Sequence, residues 1–399
     1  MPVSPGKPCR VLIIVENLPL PFDRRVWQEA NALRNAGYFV TVICPKGRGF
    51  SESYEILDGI HIYRHPHPVE ADTALKYFAE YAIALLWEFA LAIRIAFTRG
   101  FDVIQACNPP DTIFLIGRVF RFFGKRFIFD HHDINPELYE AKFERRDVWY
   151  RVLLRLERWT YATADASIAT NESYRRIAIE RGGMDPERVF VVRSGPDLTR
   201  VQHLPPRQDL KRGREHLVAY VGVIGGQEGL DLLLQAVAHM RYKLARDDTQ
   251  FVIIGDGTEL PALIQLRSDL GLIDQVDFVG RIPEKELWEI LGTADVCVNP
   301  DRANAMNDQS TMNKVLEYMA LGKPIVQFDL TEGRRSAGGA SLYASPNDIC
   351  DFAVKICALL DDPTLRQKMG AEGRRRIELE LAWHHQIPAL LNAYAKAME

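Results

Sequence analysis

Three segments of the sequence bring together residue types that can hold or transfer a small anionic group. The first runs from Phe129 to Asp133 and reads FDHHD, directly after an apolar run. A histidine at the carboxyl end of a strand can donate to a phosphate or a sugar hydroxyl, or move a proton. We therefore single out His131 and His132, with Asp130 or Asp133 as the group that orients the ring. The alternative is a polar loop that only caps the next helix, since such a loop would contain the same residue types.

The second segment is a glycine-rich turn over residues 220–231, which reads YVGVIGGQEGLD. Glycines such as Gly225 and Gly226 let the backbone approach a phosphate closely, and the amides at the start of the following helix favour an anion. The segment is not a GxGxxG fingerprint at the chain start, and no Walker lysine follows it. By itself it indicates a phosphate-binding turn only weakly.

The third segment covers residues 307–324, NDQSTMNKVLEYMALGKP. Small polar residues precede a helix predicted over 312–321, whose first amides are free to bind an anion. Lys314 and Glu317 are three apart and share a helical face. They form either a surface pair or a site in which Lys314 meets a phosphate and Glu317 accepts from ribose hydroxyls.

Two further turns follow predicted strands of the same half of the chain. Arg281 and Ile282 come after the strand 276–279, where backbone groups can bind the edge of a base. Arg334 follows the strand 325–328 within the segment EGRRSAG and brings a cation toward the same crevice.

The elements that must position these residues alternate along the whole chain. Short β-branched runs alternate with segments of helical periodicity, for example 11–15, 24–35, 103–106, 218–221, 230–240 and 325–328. This pattern predicts an α/β fold with two doubly wound parallel sheets. The polar, proline-containing stretch 198–215 separates the two series. We expect an N-terminal domain over 1–198, a C-terminal domain over 199–382, and a last helix over 383–399 that packs back on the N-terminal domain.

The composition excludes several classes of protein. The chain has 399 residues, of which 47% are hydrophobic and 26% charged, as in globular proteins. A net charge of −4 argues against general nucleic-acid binding. The six cysteines form no CxxC pair and no zinc spacing with histidine, so we expect buried thiols in a reducing compartment. The N-terminus carries no signal-peptide pattern.

Two neighbouring features bear on membranes. The segment from Leu75 to Phe97 is almost wholly apolar, and its four charged positions fall within about a third of a helix circumference. Charges such as Glu88 are too costly for a membrane-spanning helix, so a helix packed within the first domain is favoured over a membrane-touching surface. From Arg118 to Arg126 basic residues alternate with phenylalanines, which suits an anionic membrane or a solvated rim over the core.

Together these residues resemble glycosyltransferase family 4, the retaining transferases of GT-B fold. The resemblance covers most of the chain and is carried by FDRRVWQEANALRNAGYFVTVICP, FDHHDINPELYEAKF, VVRSGPD, YVGVIGGQEGLDLLLQA, IIGDGTEL, FVGRIP, ADVCVNPD and STMNKVLEYMALGKPIVQFDL. It is strongest for the bacterial branch that builds polysaccharides, lipopolysaccharide O-chains among them. It implies two Rossmann-like domains that face each other across a cleft, a nucleotide sugar held mainly by the second, and neither metal nor cofactor.

The resemblance also implies roles for single residues. Glu317 matches the second glutamate of the family's E-x7-E motif, which holds the nucleotide ribose, whereas Gln309 replaces the first. His132, or else His131, matches the histidine that contacts the donor sugar. The implied catalytic residues are therefore His132, Lys314 and Glu317.

Binding residues follow from the same comparison. The family's diphosphate-binding arginine and lysine are replaced here by Val223 and Glu228, so other cations must take their part: Lys314, Arg281, Arg334, or Arg24 and Arg25. We predict a donor site formed by Gly225, Gly226, Arg281, Ile282, Gln309, Ser310, Thr311, Lys314, Glu317 and Arg334. The usual Gly-Gly acceptor loop is replaced by residues 17–23, and we place Asp23, Arg24 and His131 on the acceptor side.

The implied activity is the transfer of a hexosyl or N-acetylhexosaminyl unit from a nucleotide sugar, in first place a UDP-sugar, to a glycan or lipid-linked hydroxyl. We expect it in the cytoplasm or peripherally on the inner face of the cytoplasmic membrane. Two alternatives stay open. A UDP-sugar epimerase of the same architecture would need no acceptor. A non-catalytic subunit of a transferase complex would explain Gln309 and the lost Arg/Lys pair.

Overall fold

The computed structural model describes residues 8–66 and 74–399. The chain divides into two compact units, the first formed by Met1–Ser194 with Gln386–Glu399 and the second by Gly195–His385. Each unit has its own sheet with helices packed on it, and this confirms the predicted α/β class. The sequence placed the corresponding boundaries at Leu198 and Ala382.

The first unit contains an eight-stranded sheet. Its strands are β1 (Arg10–Ile14), β2 (Phe39–Pro45), β3 (Tyr54–Leu57), β4 (Ile60–His65), β5 (Val103–Cys107), β6 (Arg126–His131), β7 (Ala166–Ala169) and β8 (Val189–Val191). Its helices are α1 (Arg24–Asn35), α2 (Ala74–Thr98), α3 (Phe114–Phe122), α4 (Asn135–Phe143), α5 (Val148–Thr163) and α6 (Glu172–Arg176). The strand order is β3-β4-β2-β1-β5-β6-β7-β8, so the order reverses between β1 and β5. In such sheets, ligands bind beyond the carboxyl ends of the strands at this reversal.

One strand pair departs from the predicted parallel arrangement. β3 runs antiparallel to β4 at the edge of the sheet. The turn between them is Asp58-Gly59, and both residues have positive φ, 47° and 77°. This is the geometry of a tight hairpin, for which Asp-Gly is the favoured dipeptide. The dipeptide is the sequence signal that would have predicted the hairpin.

The second unit contains a six-stranded sheet in which all pairs are parallel. Its strands are β9 (His216–Val221), β10 (Thr249–Ile254), β11 (Val276–Gly280), β12 (Val296–Asn299), β13 (Ile325–Phe328) and β14 (Ser341–Ala344). The helices are α7 (Leu230–Tyr242), α8 (Leu260–Asp269), α9 (Glu284–Thr293), α10 (Ala305–Gln309), α11 (Asn313–Ala320), α12 (Thr331–Ala337), α13 (Ile349–Asp361) and α14 (Pro363–Arg376). A last helix, α15 (Trp383–Met398), begins in this unit and continues into the first.

The order β11-β10-β9-β12-β13-β14 puts the reversal of this sheet between β9 and β12. Both faces of β9 are buried: Val218 and Tyr220 lie in one apolar cluster, Leu217 and Ala219 in the other. Because successive side chains of a strand point to opposite faces, a strand covered on both sides must be apolar throughout. The sheet core therefore sits on both sides of β9 and fixes its carboxyl end.

The long apolar helix α2 packs on the first unit along one side only. Ala84, Glu88, Ala92 and Ile95 are buried, and Phe89 meets Phe120 of α3 with ring centroids 6.1 Å apart. Glu88, one of the four charged positions of this segment, is buried in the core. The side chains of Lys76 and Glu80 lie outside the described residues. No helix in the described ranges is both long and apolar enough to cross a membrane.

Glu88 is a destabilising residue in the part of the chain that is described. Both carboxyl oxygens are buried without a hydrogen-bond partner, and burial, reinforced by Glu16, raises the pKa of Glu88 well above its usual value. Replacing it by leucine, Glu88→Leu, should raise the free energy of unfolding by about 1–3 kcal/mol at pH 8, the cost of an unsatisfied buried polar group. The gain should shrink at pH 5, where the acid is neutral.

Urea denaturation at the two pH values measures this difference. Thr98→Leu, an exposed position on the same helix, is the matched control and should change the stability by less than ~0.5 kcal/mol. A loss of stability in Glu88→Leu at pH 8 would show that the carboxyl group has a structural partner.

Candidate active site

The first group of candidate residues lies around the start of α1. Asp23 caps this helix, because its Oδ1 accepts from the amide of Val26 at 3.0 Å. Its carboxylate, predicted on the acceptor side, is thus engaged at the helix start. The next two residues diverge: Arg24 is exposed and Arg25 is buried.

Arg25 forms a buried ion cluster with β6. One terminal nitrogen, Nη2, lies 2.9 Å from Asp130 Oδ1 and 3.1 Å from Glu29 Oε1. The other, Nη1, donates to the carbonyl of Val192 at 2.8 Å and to Ser194 Oγ at 3.2 Å. Arg25 therefore ties α1 both to the carboxyl end of β6 and to the last residues before the second unit.

His132 stands at the rim of this cluster. Its Nε2 lies 2.7 Å from Asp130 Oδ2, and its backbone amide donates to Asn108 Oδ1 at 2.7 Å. The side chain is 16% exposed. Burial would lower the pKa of His132, but the adjacent Asp130 carboxylate raises it above its ordinary value. The structure thus brings a partly accessible, readily protonated ring to the carboxyl end of β6.

His131 has a different environment, which corrects its placement on the acceptor side. Its Nδ1 is hydrogen-bonded with the hydroxyl of Tyr161 at 2.6 Å, and its ring packs against Phe129 and Tyr174. Only 1% of the residue is exposed. Burial lowers the pKa of His131 to about 3, so the ring is neutral. It is a core residue without an accessible edge for an acceptor.

In the second unit, the glycine-rich turn follows β9. A short helical turn over Gly226–Glu228 leads to Gly229, whose φ is +62°. A Cβ at Gly229 would come within 2.1 Å of the carbonyl of Pro300, so only glycine fits there. The loop after β12 holds the turn: Arg302 Nε donates to the carbonyl of Gly226 at 3.1 Å, and Asn307 Nδ2 to that of Gln227 at 2.9 Å.

Lys314 lies beside this turn on the first turn of α11. A Cβ at Gly222 would be 3.2 Å from Lys314 Cε. The ammonium donates to Asp301 Oδ1 at 2.8 Å and lies 4.8 Å from the ring centroid of Tyr220. The pair is nearly buried, with 12% and 2% of the side chains exposed. The expected cation is thus present, but it already has a buried counter-ion.

Glu228 adds a second carboxylate to the same place. Its Oε2 would be 2.8 Å from a Cβ on Gly225, so it stands against the glycine turn. Burial raises the pKa of Glu228, and that of Asp301, while Lys314 acts in the opposite direction on both. A phosphate at this turn must therefore compete for Lys314 and meet Glu228 either protonated or turned away.

The remaining donor-side residues of the third segment lie between two helices. Gln309 is the last residue of α10, where its Nε2 donates to the carbonyl of Ala305 at 2.9 Å. Ser310 Oγ donates to the carbonyl of Met306 at 2.8 Å. Thr311 and Glu317 are half-buried. The short helix α10 was not predicted, and it places Gln309 and Ser310 against backbone rather than at the start of α11.

Arg281, Ile282 and Arg334 lie at the carboxyl ends of other strands. Arg281 is exposed and Ile282 half-buried, just after β11. Arg334, on α12, forms a two-pronged ion pair with Asp329 at 2.8 and 2.5 Å and lies over the ring of Tyr343. Arg334, which the sequence suggested as a cation for the crevice, is thus held at the end of β13 in an exposed ion pair, and a phosphate would compete with Asp329 for it.

Sequence reasoning missed Asp301, Arg302 and Tyr220, which surround the turn and Lys314. The sequence does carry a signal for Asp301 and Arg302, because both follow Asn299-Pro300 at the end of a predicted strand. Charged residues that directly follow a predicted strand lie at the same sheet edge as the glycine turn.

Comparisons with known proteins agree with this architecture. A model of Glycosyltransferase Family 4 matches residues 23–200, and a model of Glycosyl transferases group 1 matches residues 215–362, so the two cover most of the chain. The D-inositol 3-phosphate glycosyltransferase of Nocardia farcinica is 27% identical over 254 residues, 61% of this chain and 55% of that protein. That of Geodermatophilus obscurus is 30% identical over 257 residues, with the same coverage. The chain spans about half the length of these curated relatives.

Solved structures resemble the whole chain. Sucrose-phosphate synthase from Thermosynechococcus elongatus has a TM-score of 0.81 at 19% identity, covering 98% of this chain and 99% of that one. Anabaena HepE in complex with UDP and glucose has a TM-score of 0.73 at 15% identity, covering 96% and 99%. WaaG, described as a glycosyltransferase involved in lipopolysaccharide biosynthesis, has a TM-score of 0.70 at 16% identity, covering 95% and 98%. These likenesses show the GT-B fold.

Proposed function

The chain belongs to the family 4 glycosyltransferases, and on that premise we propose that it transfers a hexosyl or N-acetylhexosaminyl unit, with retention, from a nucleotide sugar to a hydroxyl group. One observation carries the proposal. The side chain of Lys314 lies beside the glycine-rich turn, next to Gly222, at the point where the order of the second sheet reverses. A cation beside backbone amides at such a point suits an anionic donor.

The chemistry assigned to the site is stabilisation of the leaving group. As the bond between the sugar and the diphosphate breaks, the sugar becomes oxocarbenium-like and negative charge grows on the departing phosphate. Lys314 and the amides at the start of α11 offset that charge. Glu317, on the next turn of α11, is assigned the ribose hydroxyls as hydrogen-bond donors, and His132 is assigned the contact with the donor sugar that the family resemblance implies.

We further propose a UDP-sugar as the donor. Anabaena HepE is described in complex with UDP and with UDP-glucose, and it shares the fold. A thermal-shift screen of UDP-, GDP- and ADP-sugars tests this choice. A ligand at 100 times its Kd stabilises a protein by about 2.7 kcal/mol, so the true donor should raise Tm clearly. If no nucleotide sugar raises Tm, the protein is a non-catalytic partner or binds another ligand.

An assay with the same donor distinguishes a transferase from an epimerase. A transferase consumes it only when a suitable acceptor is present, whereas an epimerase of this architecture would convert it alone. The curated relatives are named for D-inositol 3-phosphate, and WaaG for lipopolysaccharide synthesis. The acceptor assay therefore compares inositol 3-phosphate with glycan and lipid-linked acceptors, and we propose that the latter class is used.

A surface of the first unit supports an acceptor carried by a membrane. We call it the α2–α3 face. Phe97, Phe122, Phe123 and Leu86 are 89%, 88%, 66% and 69% exposed, and the face also includes Trp87, Ile93, Leu115 and Val119. An apolar patch of this kind, rimmed by basic residues, is typical of an interaction site. The helix α2, predicted to pack within the first domain, thus also exposes apolar side chains, as the alternative of a membrane-touching surface requires.

Part of the positive charge at the basic rim of this face is neutralised by ion pairs, which the sequence did not predict. Arg121 and Arg126 pair with Asp165 at 3.2 and 3.6 Å, and Lys125 lies 4.0 Å from Asp102. Arg94 and Arg118 have no ion pair within the described ranges, so the rim keeps a positive surplus. Exposed aromatic rings with a positive rim fit an anionic lipid surface. We propose that this face rests on the cytoplasmic membrane.

The double variant Phe122→Ser/Phe123→Ser should abolish this contact. The wild-type protein should sediment with phosphatidylglycerol vesicles and less with neutral phosphatidylcholine vesicles. The variant should stay in the supernatant at the same Tm, because both rings are exposed. Ile56→Ser, which removes an exposed apolar residue of β3, is the control and should bind like the wild type. Equal sedimentation of both variants, or dimerisation through the face in light scattering, would contradict the proposal.

A further inference from the structure

Behind His132 lies a buried polar cluster, of which the sequence indicated only Asp130 and Arg25. Gln105 Nε2 donates to Glu29 Oε2 at 2.6 Å and to Asp130 Oδ2 at 2.9 Å. The hydroxyl of Tyr394, on α15, donates to Gln105 Oε1. Together with Arg25, these residues join α1, β5, β6 and α15 of the first unit. None of the five exceeds 8% exposure.

The two carboxyl groups of this cluster, Asp130 and Glu29, differ in pKa. Arg25 and His132 hold the pKa of Asp130 far below its usual range against the effect of burial. Glu29 behaves in the opposite way, because burial and the neighbouring Asp130 raise the pKa of Glu29 to about 8. Burial also raises the pKa of the Cys107 thiol, whose Sγ lies 3.6 Å from Asp130 Oδ2. At neutral pH the cluster thus holds one ionised carboxylate, a permanent guanidinium and neutral groups around them.

The position of Asp130 determines which ring nitrogen of His132 carries a proton. Two groups face Nε2: Asp130 Oδ2 lies 2.7 Å away, and Arg25 Nε directs its N–H at the same nitrogen at 3.0 Å. A nitrogen without a proton would set its lone pair against a carboxylate oxygen at the shorter of these distances. Donation from Nε2 to the ionised Asp130 removes that conflict and pairs opposite charges when the ring is protonated. It gives up the longer contact from Arg25 Nε, while the two Nη atoms of Arg25 keep their own acceptors. We therefore take the shorter, charge-assisted contact with Asp130 as the one that fixes the ring.

The other ring nitrogen then becomes the functional one. Nδ1 of His132 has no hydrogen-bond partner among the described residues, and the side chain is partly exposed. In the neutral ring Nδ1 is an acceptor, whereas in the imidazolium it is a charged donor. A charged donor suits the diphosphate or a sugar hydroxyl of an anionic substrate.

We propose that Asp130, held in place by Arg25, is the positioning residue that fixes Nε2 of His132 inward and presents Nδ1–H of the imidazolium to the sugar donor. The proposal rests on the proposed function for the identity of the ligand. Its geometric part, the Nε2–H form held by Asp130, stands independently of that function. Glu29 and Gln105 act on His132 only through Asp130.

The first test is the pH dependence of donor use. Because the imidazolium is the working form, kcat/KM should be constant at low pH and fall as the pH rises through the pKa of His132, which lies above 6.5. In Asp130→Asn the carboxylate that raises this pKa is gone while Arg25 remains, so the fall should move below pH 6.5. A shift of one pKa unit changes the protonated fraction up to tenfold, so we expect a loss of about 10-fold at pH 7.5 and a smaller one at pH 6. A loss without a displaced profile would mean that Asp130 has only a structural role.

The second test determines the tautomer and the titration of the His132 ring by NMR in the wild-type protein, and it does not depend on transfer activity. The ¹⁵N shifts of His132, assigned with His132→Asn, should show a neutral form protonated at Nε2 and a titration above pH 6.5. Asp133→Asn, a change in the same loop, should leave that tautomer unchanged. A neutral form protonated at Nδ1, or a titration below pH 6, would overturn the proposal even if transfer is observed. The predicted tautomer without any transfer would instead count against the proposed function alone.

Discussion

Lys314→Ala should lower the turnover of sugar transfer by about 10²–10³-fold, the usual effect of removing one group that stabilises a developing negative charge. The reason is the position of Lys314 beside the glycine-rich turn, where a second cation, Arg302, is paired with Asp231. Glu228 adds a carboxylate at this turn, and Arg334 pairs with Asp329. Steady-state kinetics with the donor identified by thermal shift measures the effect, and Asn313→Ala, an exposed neighbour on α11, should retain near wild-type turnover.

This substitution also leaves Asp301 without its counter-ion. Removing one partner of a buried pair costs about 3–5 kcal/mol of stability, so lost activity could follow from unfolding. The double variant Lys314→Met/Asp301→Asn removes both charges and should recover much of the stability but none of the turnover. Recovery of turnover in the double variant would show that Lys314 acts only as the partner of Asp301.

Arg25→Met should lower the free energy of unfolding by about 3–5 kcal/mol, because it leaves the buried carboxylate of Asp130 without its guanidinium. The loss should appear in urea denaturation at pH 7. Arg24→Met is a matched control, since the neighbouring side chain is exposed, and it should change stability by no more than ~0.5 kcal/mol.

Equal stability of the two variants would contradict the account of the cluster. In that case Asp130 would be protonated or solvated, and the basis for the tautomer of His132 would be lost. A selective loss in Arg25→Met would instead support the ionised Asp130 on which the orientation of His132 depends.

The sequence predicted the elements well where local patterns decide them. Helix α1 has the bounds Arg24–Asn35 that its periodicity predicts, and Asp23 supplies the cap. The continuous apolar runs predicted strands covered on both faces, as found for β9. The boundaries of α11 differ by one residue from those predicted, because α10 ends just before it.

The environments of the candidate residues were less accessible to sequence reasoning. His131 and His132 are adjacent and chemically alike, yet one is in the core and the other at the rim, because successive residues at a strand end point to opposite sides. The pairing of Lys314 with Asp301 depends on the path of the loop after β12. The pairing of Arg25 with Asp130 joins residues 105 positions apart. Such contacts follow from tertiary structure and leave no local signal.

The most direct test of the central claim is a transfer assay with defined products. The purified protein is incubated with the stabilising nucleotide sugar, with and without acceptor, and released nucleoside diphosphate and the anomeric configuration of the product are measured by NMR. The account predicts that diphosphate release requires acceptor, that the glycosidic bond retains the donor's configuration, and that Lys314→Ala abolishes both while Asn313→Ala does not. Conversion of the donor without acceptor, or binding of the donor without any transfer, would contradict it.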